Sequence, residues 1–346
     1  MRKSFFLSVL AIGAIVAGCS KVVDHSVEVN QMITFDNYVG KDAMTKAQVI
    51  TVQDNQDLSV KVNANLRKAD GTDAFDANFM KNVDVNAKTG AYSPAKYWPA
   101  ADQVVDFVAW VPTEKNIEVD NATLSFTVPE KAIEQVDLLV ANPVIGKNGA
   151  TEDENTPVAL QFKHLLSRIA FEIVATDIPN DGINVVTLTE LSLNGSFART
   201  GTVAMTEPAP KVTADMTNPV TKYEMKDYFG YNNGVMSTST GNQATEYLMI
   251  IPDQNAPTHI TVTYVVTTYE TDAEGKPTTT VVGTPITNTT KFALQPATGS
   301  FAFEAGKAYK YKFSIAMDTI SFTVTEEPWG QEASSDIKND YVEPEV

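Results

Sequence analysis

Cys19 is the single cysteine of the 346-residue chain, and Val16, Ala17 and Gly18 stand directly before it. Small residues at that position suit the pocket of a signal peptidase, and a thiol left at the new N-terminus can accept a diacylglycerol. Upstream, Arg2 and Lys3 precede an apolar run from Phe5 to Ala17, broken only by Ser8 and Gly13. The run is short of the ~20 residues that a transmembrane helix needs. It therefore predicts a secretory signal over residues 1–18, cut between Gly18 and Cys19, with lipid on Cys19. Two or more acyl chains hold a protein in a bilayer where one does not. With no second cysteine there is no internal disulfide, so the exported chain must be stabilised by core burial alone.

Other residues capable of chemistry are scattered. His25, His164 and His259 stand far apart, without the H-x-x-x-H or H-E-x-x-H spacing of a metal site. There is no glycine-rich phosphate loop and no G-x-S-x-G elbow. Carboxylates are many, but no pair stands out by context as the two acids of a glycosidase. Glu152-Asp153-Glu154 follows Asn148-Gly149 without the D-x-D-x-D-G order of a calcium loop, and reads as a solvated loop. His164 lies in the stretch FKHLLSRIAF, 162–171, whose apolar flanks predict a packed, hydrogen-bonded ring. Tyr228, Phe229 and Tyr231 form the one local aromatic cluster suited to a sugar platform, or else they pack a short helix into the core. No enzyme activity, metal or cofactor is expected. A formal net charge of −17 repels nucleic acid and keeps an exported protein soluble.

The elements that would carry these residues read as strands. Period-two patterns occur at 47–53, 58–66, 104–111, 122–128, 158–162 and 168–174. They continue at 185–193, 246–251, 258–269, 289–294, 309–317 and 319–325. Such runs, bounded by Gly, Pro, Asn and Asp, indicate half-buried antiparallel strands and an all-β sandwich class. Short helices are expected only at 130–136 and 222–229, and a hairpin tip at 270–280 around Gly275 and Pro277. The densest loop signal, 176–182, suggests a boundary between domains of 20–176 and 177–346.

Several stretches are similar to a known family. The F-x-H-L-x-S-R-I-x-F pattern of 162–171 resembles a hallmark of the fimbrillins, as does Tyr97-Trp98-Pro99 followed by Val105-Asp106-Phe107-Val108-Ala109-Trp110-Val111-Pro112. Ala305-Gly306-Lys307-Ala308-Tyr309-Lys310-Tyr311-Lys312-Phe313 resembles the family's late strand, and Thr323-Val324-Thr325 with Trp329-Gly330 its closing one. The resemblance implies a pilus subunit of the type V class, with two transthyretin-like β-sandwich domains. It also implies export as an outer-membrane lipoprotein precursor, loss of an N-terminal segment to a protease, and assembly on the cell surface with other pilus subunits. A strand from another subunit then fills the groove left by the first strand.

The residues present can be set against that scheme. Residues 27–38 read as a first strand, with Val27, Val29, Ile33 and Phe35 as inward positions. Its removal would leave an apolar groove with unpaired backbone groups, which another strand satisfies. Cleavage between Lys46 and Ala47 would take away the strand together with Cys19 and its lipid; the other reading of Lys46 is a plain exposed lysine. The tail from 331 offers Ile337, Tyr341 and Val342 as plugs for a neighbour's groove, or it is a solvated end. The alternative to a fimbrial subunit is a monomeric surface lipoprotein that binds glycan or a host protein.

Overall fold

A computed structural model describes residues 31–39, 59–71, 76–99, 102–113, 116–120, 122–148, 156–176, 182–229, 235–236, 242–244, 246–252, 257–295, 301–316 and 319–328. Among these the chain is all-β and sandwich-like, with helical structure limited to short 3-10 turns at Ala132–Glu134 and Lys226–Tyr228.

A seven-stranded sheet is built from the first half. Its order is β1 (Phe35–Val39), β9 (Val158–His164), β7 (Leu139–Ala141), β4 (Gln103–Val111), β2 (Ser59–Lys68) and β3 (Asp76–Asn86), while β8 (Val144–Lys147) also pairs with β4. Only β1 and β9 run parallel in it, Phe35 facing Val158 and Val39 facing Phe162. One face of this sheet carries a core of Val60, Val62, Phe107, Leu139, Leu160 and Phe162, among others.

The second sandwich places two sheets around one core. One sheet runs β15 (Asn242–Gln243), β10 (Ser167–Ala175), β20 (Lys307–Ile315) and β21 (Ile320–Pro328), with β16 (Leu248–Ile250) also on β10. The other runs β14 (Val220–Glu224), β11 (Asn184–Phe197), β17 (Pro257–Thr271) and β18 (Pro277–Val281), with β19 (Ile286–Ala293) on β17. Phe292 of β19 meets Phe313 of β20 at 5.4 Å between ring centroids, which closes the two sheets on each other.

A four-stranded sheet joins the two halves: β5 (Ile117–Asp120), β6 (Thr123–Thr127), β12 (Thr200–Ala204) and β13 (Val212–Asp215), with Leu124 of β6 facing Val203 of β12. A third core lies beneath it. β4 serves two cores at once, Val105, Phe107, Ala109 and Val111 on one face and Val108 and Trp110 on the other. This is why residues 104–111 read as a near-continuous apolar run: a strand covered on both faces has no solvent side to keep polar.

β10 and β11, which flank the 176–182 stretch in sequence, contribute side chains to one core. The chain passes between the first sheet and the second sandwich at Leu165-Leu166, between β9 and β10. Expectation and structure differ locally at 222–229. Val220–Glu224 is a strand paired with β11, and the helical turn is confined to Lys226–Tyr228.

Candidate functional site

Residues 31–39 close the seven-stranded sheet. Their second half is β1, on the β9 edge. Their first half reaches the far side of the same layer: the Ile33 amide donates to the Lys96 carbonyl at 2.9 Å, and the Trp98 amide donates to the Gln31 carbonyl at 2.9 Å. Met32 and Tyr97 form an antiparallel bridge there, and Tyr92 bridges Val85 of β3. One short segment thus ties the β9 edge to the 92–98 loop that leaves β3.

Side chains alternate as a half-buried strand requires. Ile33 and Phe35 are buried in the first core, 0% and 6% exposed, while Met32, Thr34 and Asp36 face solvent. Each buried side chain contributes roughly 1.5–3 kcal/mol relative to exposure. A lone parallel edge pairing contributes less per residue than an antiparallel one. The segment is therefore held chiefly by its two inward side chains.

The seat is aromatic. The Phe35 ring meets Tyr92 at 5.3 Å and Phe107 at 5.7 Å, both edge-on, and Trp98 meets Phe107 edge-on at 6.0 Å. Edge-to-face pairs at such distances add about 0.5–1.5 kcal/mol beyond their area. The Tyr92 hydroxyl donates to the Ile33 carbonyl at 2.8 Å. Burial pushes the Tyr92 phenol up from its ordinary range, further from ionisation. Gly90, with φ of +68°, lies against the Phe35 carbonyl; a Cβ there would stand 2.3 Å from that oxygen.

Of the residues singled out from sequence, Ile33 and Phe35 come together in this seat. Gly18, Cys19, Val27, Val29, Lys46, Ala47, Ile337, Tyr341 and Val342 lie outside the described residues, as do His25, Tyr231 and the trio 152–154. His164 is buried and its Nδ1 lies 2.6 Å from Asp137 Oδ2, which is the packed, hydrogen-bonded ring expected of it. His259 sits on β17, its Nδ1 3.0 Å from the Thr258 hydroxyl, and burial pulls it below its ordinary range. Phe229 is 5% exposed in the core of the second sandwich, with Tyr228 packed against the same core. Phe229 and Tyr228 thus take the core-packing alternative, while Tyr231 lies outside the described residues. Gly90, Tyr92 and Trp98 were not recognised as partners of the first strand. The one available signal was the density of glycine, proline and aromatics in GAYSPAKYWP, 90–99.

A profile of fimbrillin-like proteins matches residues 45–329. The chain belongs to the fimbrillin-like family. The match begins downstream of β1, beside Lys46. This fimbrillin is 23% identical over 381 aligned residues to the fimbrium subunit Fim1C of Phocaeicola vulgatus, covering 93% of this chain and 95% of that one. Its fold is similar to that of a fimbrial protein from Bacteroides vulgatus, with a TM-score of 0.63, 19% identity, and coverage of 87% of this chain and 100% of the other. A cell adhesion protein from Bacteroides uniformis shares the fold with a TM-score of 0.52 and 17% identity, over 86% of this chain and 99% of that one. For the fimbrillin, these structural likenesses speak to the fold.

Proposed function

We propose that this fimbrillin is a structural subunit of a cell-surface fimbria, exported as a lipoprotein precursor and assembled by exchange of its first strand. The observation that carries the reading is the placement of residues 31–39. They form one short segment, buried through Ile33 and Phe35, that lies along the β9 edge and bonds to the 96–98 strip. Family membership and the fimbrial relative support the structural role.

In this reading the signal is cut between Gly18 and Cys19, and Cys19 carries lipid that tethers the precursor to the outer membrane. Cleavage between Lys46 and Ala47 then frees the subunit from the membrane and releases the strand in one step. Loss of the strand bares the outward backbone groups of β9 and the aromatic seat. Unpaired edges of this kind take up a strand from another chain.

Subunits recovered from fibres are expected to begin at Ala47, as read by N-terminal sequencing. Fibre subunits that retain acylated Cys19 would sink the proposal. Size-exclusion chromatography after mild trypsin treatment provides a second check. Ladder-like oligomers are expected, and a persistent monomer would favour a solitary surface lipoprotein instead.

A further inference from the structure

We infer that the seat of residues 31–39 selects its incoming strand by side chain. It takes an extended segment parallel to β9 with a branched aliphatic residue and, two positions on, an aromatic one, supplied by another subunit and not by the segment 331–346. The inference rests on the proposed loss of the resident strand and specifies what replaces it.

Three features of the seat set the pattern. The Ile33 position is fully buried and has its backbone gripped on both sides, the amide by the Lys96 carbonyl and the carbonyl by the Tyr92 hydroxyl. A proline there would delete the donor to Lys96, and a polar side chain would be buried without a partner. The Phe35 position opens onto Tyr92 and Phe107 in edge-on geometry, which suits a flat ring rather than an aliphatic chain. Between them, Gly90 admits the strand's backbone at the Phe35 carbonyl, where any side chain would collide with it. This close approach locks the register, because a slip of one residue would turn both inward side chains to solvent.

The chain's own tail does not carry the pattern. Two residues before Tyr341 stands Asn339, and two before Val342 stands Asp340; Ile337 is followed two on by Asn339. Seating Tyr341 in the aromatic site would place an asparagine where Ile33 is 0% exposed. Ile337, Tyr341 and Val342 thus do not supply the pair of side chains that this seat takes.

The test uses the full chain cleaved by trypsin, with labelled synthetic peptides followed by fluorescence anisotropy. A peptide of residues 27–39 is expected to bind. Its Ile33→Asn and Phe35→Ala forms, and a peptide of residues 331–346, are each expected to bind at least about tenfold more weakly, as anchors at a buried interface do. Equal binding of either substituted peptide, or tight binding by the tail peptide, overturns the inference while leaving strand exchange intact. Failure of the 27–39 peptide itself to bind overturns both. A second arm avoids cleavage altogether: in the uncleaved Phe35→Ala chain, excess wild-type 27–39 peptide should displace the weakened resident strand and become protected from protease. No capture there also counts against the selective seat.

Discussion

The Tyr92 hydroxyl donates to the Ile33 carbonyl at 2.8 Å, across 59 residues of sequence. It also lies 3.3 Å from both the Lys96 carbonyl and the Lys96 amide. One phenol thus pins the first strand to the loop that borders it. Tyr92→Phe keeps the ring against Phe35 but loses the donation, and should cost about 1 kcal/mol. The readout is limited proteolysis within 31–46, which should run faster in the variant than in the parent. Unchanged proteolysis would show that the hydroxyl does not hold the strand.

Gly90→Ala should be more damaging than Tyr92→Phe. The alanine Cβ would sit 2.3 Å from the Phe35 carbonyl oxygen, a backbone atom that cannot swing aside, and φ is +68° there. Strain at such positions costs of order 1–3 kcal/mol, and here a collision is added. A lowered thermal midpoint together with release of the first strand is expected. Gly71, with φ of +74° and open space around it, is the control that carries backbone strain without the collision.

Asp137→Ala should destabilise the fold by about 2 kcal/mol, because it removes the carboxylate that meets the buried His164 ring nitrogen. Asp137 is 0% exposed and its Oδ2 lies 2.6 Å from Nδ1 of His164, the last residue of β9, where the chain leaves the first sheet. The comparison is Glu134→Ala, which breaks the exposed pair with Lys131 at 3.8 Å and should move stability by no more than about 0.5 kcal/mol. Urea midpoints for the two variants decide the matter.

Glu172 makes a pH prediction. Burial works to raise its carboxyl, but the ammonium groups of Lys310 and Lys312, at 2.5 and 3.3 Å, outweigh it and hold the group below its ordinary value of 4.5. A depressed carboxylate contributes stability that is fully present above the unfolded value and lost as pH falls through the folded one. Glu172→Gln should therefore lower the melting temperature at neutral pH. Its gap from the parent should shrink as pH drops below 4.5. A gap that is constant with pH would assign the pair no titrating role.

The long strands were legible because each has one wet face or none. β9 alternates Val158, Leu160 and Phe162 inward against Ala159, Gln161 and Lys163 outward, so period two announces it. β3 was missed because it is irregular. Asn82 takes φ of 51°, and its amide donates to the Asn63 side chain at 2.6 Å where the register with β2 shifts. β12 and β13 were missed because Thr200–Ala204 and Val212–Asp215 are short and rich in threonine, alanine and glycine, with little apolar contrast. Ile33 and Phe35 were legible for the same reason as β9. Their seat was not, since Gly90, Tyr92 and Phe107 approach them only through long-range pairing that no local pattern records.

The closing segment has a mechanical side. Residues 31–33 are bonded to the 96–98 strip, and β1 lies alongside β9 from Phe35 to Val39. A force drawn along the axis of such a segment shears all these bonds together instead of peeling them one after another. The load then falls on the whole row at once, and the buried Ile33 and Phe35 act as cleats that must leave their sockets before it slides. Any strand that occupies this seat in a fibre inherits the same resistance to tension.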